Sequence, residues 1–384
     1  MIDPTRRGLR VLHVAAGNLF GGIERMLLTI AEAQQPEDCA HDFALCFDGR
    51  VARELRERGG NPGVLGAVRF RRPDSVWRAR RTLRRMLAAR RHDAVVCHAP
   101  WPCVLAAPVV RRARRPLLMW VHDIPQVAAW PERAVRRHPP DRFICNSRFT
   151  ADAVSRWMPD IPRDVIYPPV LSNPPLDANE RRRVRGAVGA TDRTTVIVLA
   201  SRLERYKGHH VLLRAAVRLR GEFAIWIAGA PQRAHEADYL DELHQLAADP
   251  ALGGRVRFLG DRPDVRRLIA SADIHCQPNI APEPFGIAFV EALYARVPVV
   301  TTAAGGATEI VDAQSGVLLR AATEGALAEA LQQLIDHRAG RLTLGAAGPS
   351  RARRVSDPES RLRDICEVVR AQCVPAADYA DRRA

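Results

Sequence analysis

The sequence predicts an α/β protein built as two doubly wound halves, each a parallel sheet wrapped by helices. Three observations carry this. Short apolar runs alternate with helix-length amphipathic segments; the runs fall into two series split by a proline-rich stretch; glycines, histidines or charged residues follow directly on the runs.

The first series of strands reads Leu9–Ala15, Phe43–Phe47, Ala94–Cys97, Pro116–Val121, Arg142–Cys145 and Val165–Tyr167. The second reads Thr194–Ala200, Phe223–Ala228, Val256–Leu259, Ile274–Gln277, Val297–Thr301 and Gly316–Leu319. Between them, Tyr167 to Leu176 contains four prolines, which a helix or central strand does not accommodate. The expected organisation is a first domain over 1–170, a linker over 171–193, a second domain over 194–350, and a terminal helix and tail over 351–384 packing back toward the first domain. The helix is placed at Arg361–Gln372 and a loose tail at Pro375–Ala384.

Composition narrows the class. With 384 residues, 47% hydrophobic and 26% charged, the chain can bury two cores and is neither disordered nor a small disulfide scaffold. No apolar run reaches the roughly 18 to 20 residues that span a bilayer, and Met1 to Arg7 lacks the apolar core of a secretion signal, so a cytoplasmic location is expected. Eight scattered cysteines without a C-x-x-C read as buried free thiols, not as a zinc ribbon or a thioredoxin-type site.

The net charge of +15 is uneven: residues 1–170 hold 29 arginines against 17 acids, the remainder 29 basic residues against 26 acids. Ten arginines fall between Arg69 and Arg91, mostly on a segment whose Val76, Ala79, Leu83 and Leu87 recur at helical spacing. That basic amphipathic helix suits docking on an anionic membrane or an acidic acceptor; an arginine-rich solvated face is the alternative. Nucleic acid is disfavoured, because aromatic interleaving is limited to Trp77 and no helix-turn-helix or zinc-finger spacing occurs. Of 58 basic residues only Lys207 is lysine, and a compact point charge suits a tight site for a single oxygen better than a planar fork does.

The loops after the strands carry the candidate chemistry. Leu9–Ala15 runs into Asn18, Gly21, Gly22 and Glu24 at a helix start, where backbone can approach an anion; the pattern is not G-x-G-x-x-G. His98 and the His122–Asp123 pair end two further strands, and Asn146 opens a strand-to-helix turn. Arg202 and Lys207 follow Thr194–Ala200 and together could neutralise a diphosphate. Glu283 and Glu291 flank Phe285-Gly286-Ile287, one carboxylate in a loop and the other a turn inside a helix, suited to hydroxyls along an elongated polyol.

The ordered set Gly-Gly-x-Glu, Val-His-Asp, Asn-Ser-x-x-Thr, Ser-Arg-Leu-(four residues)-Lys-Gly, Glu-Pro-Phe-Gly-(four residues)-Glu-Ala and Gly-Gly-(two residues)-Glu-Ile resembles the retaining glycosyltransferases of family 4, group 1, across nearly the whole chain. The resemblance implies a GT-B fold, two Rossmann-like domains facing across a cleft. It also implies transfer of a sugar, by default a hexose, from a nucleotide-diphosphate sugar to a hydroxyl of a glycan, lipid-linked or small-molecule acceptor.

On that resemblance Arg202 and Lys207 grip the diphosphate, Glu283 meets the sugar hydroxyls and Glu291 the ribose. The Phe285, Gly286 and Ile287 backbone approaches the donor, and Gly21 and Gly22 line the diphosphate and acceptor side. His122 stands near the reacting centre, with Asn18, Glu24, His98, Asp123 and Asn146 as acceptor-side candidates. No cofactor and no metal are expected; the nucleotide sugar is a co-substrate, and the partners are that donor, the acceptor and, through Arg69–Arg91, the inner face of a membrane. Alternatives are an inactive sugar-nucleotide-binding or scaffold protein of the same fold, a nucleotide-sugar epimerase, or a phosphorylase, for which the single lysine is already engaged.

Overall fold

A computed structural model describes residues 8–35 and 38–373. The chain folds as two compact units. One runs to Pro169 and takes in the segment beginning at Pro358; the other is Val170–Asp357.

The first unit carries β1 (Leu9–Ala15), β2 (Cys39–Leu45), β3 (Gly63–Val64), β4 (Ala94–His98), β5 (Leu117–Val121), β6 (Arg142–Cys145) and β7 (Arg163–Val165). Every pairing is parallel, in the order β3-β2-β1-β4-β5-β6-β7. The order reverses between β1 and β4, the switch point at which such sheets open a crevice beyond their carboxyl ends. Period-two alternation sends Leu12, Val14, Val95, Cys97, Leu117 and Met119 into one apolar core. The opposite face carries His13, His41 and His98.

Three elements differ from expectation, one of them β7, which ends at Val165 instead of starting there because the charged Arg163 and Asp164 pair with β6. β2 starts four residues before Phe43, because His41 and Asp42 interrupt the apolar run yet lie within the sheet. β3 is only Gly63–Val64, too short to leave a pattern.

The second unit carries β8 (Thr195–Ala200), β9 (Phe223–Ala228), β10 (Val256–Gly260), β11 (Ile274–Gln277), β12 (Val299–Thr302) and β13 (Gly316–Leu319). They too are parallel, in the order β10-β9-β8-β11-β12-β13, with the reversal between β8 and β11.

The stretch 171–193 is irregular to Asp177 and again after Ala187; the Asp177 carboxylate accepts the N–H groups of Asn179 and Glu180 and starts a helix over Ala178–Ala187. Arg185 on that helix is buried and donates to Asp273 (2.9 Å) and to the carbonyls of Ser271 and Thr191. The helix therefore belongs to the second unit. At the other end this unit extends through a helix over Arg338–Ser356, and the helix Pro358–Cys373 belongs to the first. The tail expected at 375–384 lies outside the described residues.

The arginine-rich helix spans Pro73–Ala89, its Ala79 and Leu83 fully buried, and the side chains of Arg78, Arg81, Arg84 and Arg85 exposed. Burial of that narrow stripe fixes the helix, so Leu83→Ala should cost about 2–5 kcal/mol. Arg84→Ala should change stability by no more than about 0.5 kcal/mol. Urea unfolding of the two variants checks the contrast.

Candidate active site

In the second unit the loop after β8 passes through Arg202 to a short turn, Arg205–Lys207, and then to the helix His209–Ala216. Gly208 joins them at φ +78°, and a Cβ there would stand 2.0 Å from the Pro278 carbonyl oxygen. Only glycine lets this loop lie against the loop after β11.

That approach brings the Lys207 ammonium 2.6 Å from Glu283 Oε2. Gln277 Nε2, at the end of β11, donates to the same oxygen at 3.0 Å, and Asn279 Nδ2 reaches it at 3.4 Å. Gln277 also donates to Asn279 Oδ1 at 3.0 Å, and Thr301 on β12 donates to the Gln277 carbonyl at 2.8 Å. Among the described residues all the side-chain donors to Glu283 converge on Oε2, which leaves Oε1 to accept from a hydroxyl.

The backbone of Glu283 is held as well. Its N–H donates to the Ala304 carbonyl and its carbonyl accepts from Gly306 N–H at 2.7 Å. Gly305 has φ +71°, and a Cβ there would come within 2.3 Å of the Glu283 carbonyl oxygen.

Burial on its own would depress the Lys207 pKa; Glu283 and the Tyr206 phenol outweigh it, and the net shift is upward. Burial pushes the Tyr206 phenol up to about 12. Lys207 is therefore a fixed cation whose charge is already paired, with one N–H left over for a further oxygen. Arg202 is partly exposed and paired with Glu204 at 2.9 Å. Phe285 is buried, Gly286 caps the helix Ile287–Tyr294 in the left-handed region, and Glu291 is buried one turn inside it.

In the first unit the structure puts four histidines in a row on neighbouring strands: His41 on β2, His13 on β1, His98 on β4 and His122 just beyond β5. His41 Nδ1 lies 2.9 Å from His13 Nε2, His13 Nδ1 lies 2.8 Å from His98 Nε2, and His98 Nδ1 lies 3.0 Å from His122 Nε2. His122 also stacks on Trp120, with ring centroids 5.6 Å apart. Burial lowers the pKa of His122 to about 3 and drives those of His13 and His98 well below the ordinary value.

Among the acceptor-side candidates, Glu24 accepts the Gly21 N–H at 2.9 Å and so caps the first helix. Asn146 is buried and donates to the His122 carbonyl at 3.1 Å, which fixes the turn that presents His122. His98 is an inner link of the histidine row. Asn18 and Asp123 are exposed, as is Gly22 beside the half-buried Gly21.

Sequence reasoning missed Gln277 and Asn279, although a polar residue closing an apolar strand just before the Glu283 loop was a usable signal. It also missed His13 and His41, which look like interruptions until the sheet aligns them.

Residues 20–171 match a family model described as Glycosyltransferase Family 4, and residues 180–351 one described as Glycosyl transferases group 1. A D-inositol 3-phosphate glycosyltransferase from a Mycobacterium species is 31% identical over 247 residues, 63% of this chain and 54% of its own length. A GDP-mannose-dependent monoacylated alpha-(1-6)-phosphatidylinositol monomannoside mannosyltransferase from Corynebacterium glutamicum is 31% identical over 185 residues, covering 45% of this chain and 46% of that protein. The chain spans about half the length of the curated relatives it matches.

Among solved structures, HepE of Anabaena in complex with UDP and glucose is similar with a TM-score of 0.83 at 25% identity, over 94% of this chain and 100% of that one. Sucrose-phosphate synthase from Thermosynechococcus elongatus, at TM-score 0.76 and 17% identity over 94% and 98% of the two chains, shares the fold. The chain belongs to the family 4, group 1 glycosyltransferases, a family of transferase enzymes, and has their GT-B fold.

His13, His98 and His122, held neutral by burial, make stability depend on pH. Their folded pKa values lie below the unfolded value near 6.5, so their contribution is complete above about pH 6.5 and is lost as the pH falls, for His122 toward about 3. Each should add up to about 1.4 kcal/mol per pH unit to the loss inside that window. Urea unfolding at pH 7, 6 and 5 measures the slope, and His98→Gln should make it shallower.

Proposed function

We propose that the protein transfers a hexosyl group from a nucleoside-diphosphate sugar to an acceptor hydroxyl, with retention at the anomeric carbon and without a metal ion. The observation that carries this reading is the buried Lys207–Glu283 pair at the switch point of the second sheet. It sets a cation for a phosphate oxygen beside a carboxylate for a sugar hydroxyl. The family membership supports it, as does the likeness to a protein crystallised with UDP and glucose.

In this reading Lys207 and Arg202 stabilise the negative charge that grows on the departing nucleotide, the work a divalent ion performs in other transferases. The N–H groups that open the helix after Gly286 favour the same charge. Glu283 Oε1 accepts a hydroxyl of the transferred sugar, and Glu291 accepts the ribose hydroxyls. The bond from the anomeric carbon to the phosphate oxygen breaks, the acceptor oxygen bonds on the same face, and its proton passes to the leaving phosphate. No protein nucleophile takes part. In the first unit His122, neutral and held by His98 and Asn146, supplies a hydrogen-bonding group for the transferred sugar, with Gly21 and Gly22 on the acceptor side.

A second reading concerns where the acceptor is met. Trp77 on the helix Pro73–Ala89 is 60% exposed among exposed arginines, and Trp130, packed edge-on against Phe70, is 46% exposed. Aromatic rings beside cationic side chains suit docking on an anionic membrane carrying a lipid-linked acceptor.

Calorimetric titration with UDP, GDP, ADP and dTDP in EDTA should give binding of one nucleotide. Lys207→Met and Glu283→Gln, checked for folding by circular dichroism, should each reduce sugar transfer at least about 100-fold. Transfer by folded variants at the wild-type rate overturns the assignment. Vesicle sedimentation should show salt-sensitive binding to phosphatidylglycerol-containing vesicles, weakened by Trp77→Ser; equal weak binding to neutral and anionic vesicles rejects the docking face.

A further inference from the structure

The histidine row ends, on the side away from His122, in a cluster that the transfer reaction does not use. Cys39 and His41 alternate on β2, so both side chains leave the same face of the sheet. The helix Pro358–Cys373 packs on β1, β4 and the helix Gly22–Ala33, and it brings Cys366 to the same place. One ligand atom from each of Cys39, His41 and Cys366 lies within 4.8 Å of the other two, and all three residues are buried.

We propose that Cys39, His41 and Cys366 form a binding site for a thiophilic divalent cation of the Zn²⁺ class, which fastens the C-terminal helix to the first sheet. Tetrahedral coordination with Zn–S near 2.3 Å and Zn–N near 2.0 Å sets ligand atoms about 3.5–3.8 Å apart, so a contraction of at most about 1.3 Å closes the site. His41 is already oriented for this. Its Nδ1 is engaged by His13 Nε2 at 2.9 Å, which leaves Nε2 as the nitrogen for the metal and supplies the outer-shell partner that ligating histidines normally have.

The donor set is two sulfurs and an imidazole with no carboxylate, a selection that excludes Mg²⁺ and Ca²⁺. Two thiolates balance the dication, so binding releases the two thiol protons to solvent, and a water completes four-coordination. Arg370, one turn beyond Cys366, and Asp93 are charged groups that act on the thiols. The site lies within the first unit, and its role is to hold the fold. It was hidden in the sequence because Cys366 is remote from the Cys-x-His pair.

Reduced, metal-free protein titrated with Co²⁺ under argon tests the assignment. The expected result is one equivalent bound with a thiolate-to-cobalt charge-transfer band, displacement by Zn²⁺, and a higher melting temperature in the presence of Zn²⁺. Cys39→Ser and Cys366→Ser should each weaken binding by at least about 10–100-fold, the loss typical of an outer-shell partner, while Cys373→Ser keeps it. Reduced wild-type protein that takes up neither metal overturns the proposal, whatever the variants do. So does binding that survives both serine substitutions, or a Cys39–Cys366 disulfide in oxidised protein whose reduced form ignores both metals.

Discussion

Two opposite charges buried 2.6 Å apart set the terms on which the second unit is built. Taking an ammonium and a carboxylate out of water costs several kcal/mol per ion, and their attraction offsets that only with good geometry and satisfied lone pairs. The surrounding residues answer this demand. Gln277 and Asn279 complete the coordination of Glu283 Oε2, and Thr301 steadies Gln277 from the next strand. Gly208 lets the lysine loop close on the β11 loop, and Gly305 lets a third loop support the glutamate backbone. The glycines, the amides and the meeting of three strand ends are thus conditions for keeping one ion pair dry.

The two units place polar residues at the same topological position by different means. In the second, β8 and β11 end in loops that pair charges. In the first, β1, β2 and β4 carry their polar residues inside the sheet, as imidazoles that satisfy one another along a row. Burial that would be costly for separate histidines becomes tolerable, because each inner ring gives and receives a hydrogen bond. The same arrangement leaves His122 uncharged where the chain turns toward solvent.

Much of this was legible beforehand. Alternating apolar runs located nearly every strand, and the motifs after Thr194–Ala200 and Ile274–Gln277 led to Lys207 and Glu283, because local spacing encodes residues on one loop. What the sequence did not reveal depends on lateral alignment. His13, His41 and His98 are far apart in the chain and come together only through the parallel register of β2, β1 and β4. The start of β2 was misplaced for the same reason, since a buried polar residue reads as a strand boundary until its partner is known. The ionic contact between Lys207 and Glu283 was likewise invisible, because the two motifs were read as separate ligand contacts. Their pairing means that the two loops are organised by their own contact.

The histidine row has a further consequence. A neutral imidazole has one N–H and one lone pair, so in a chain of such rings the direction of the first hydrogen bond dictates the direction of all the others. The neutral rings of His13, His98 and His122, joined by two bonds, have two self-consistent proton arrangements, one the reverse of the other. The row behaves as a single two-position element laid across the sheet: the nitrogen of His13 that carries hydrogen decides which nitrogen of His122 does, without movement of the backbone between them.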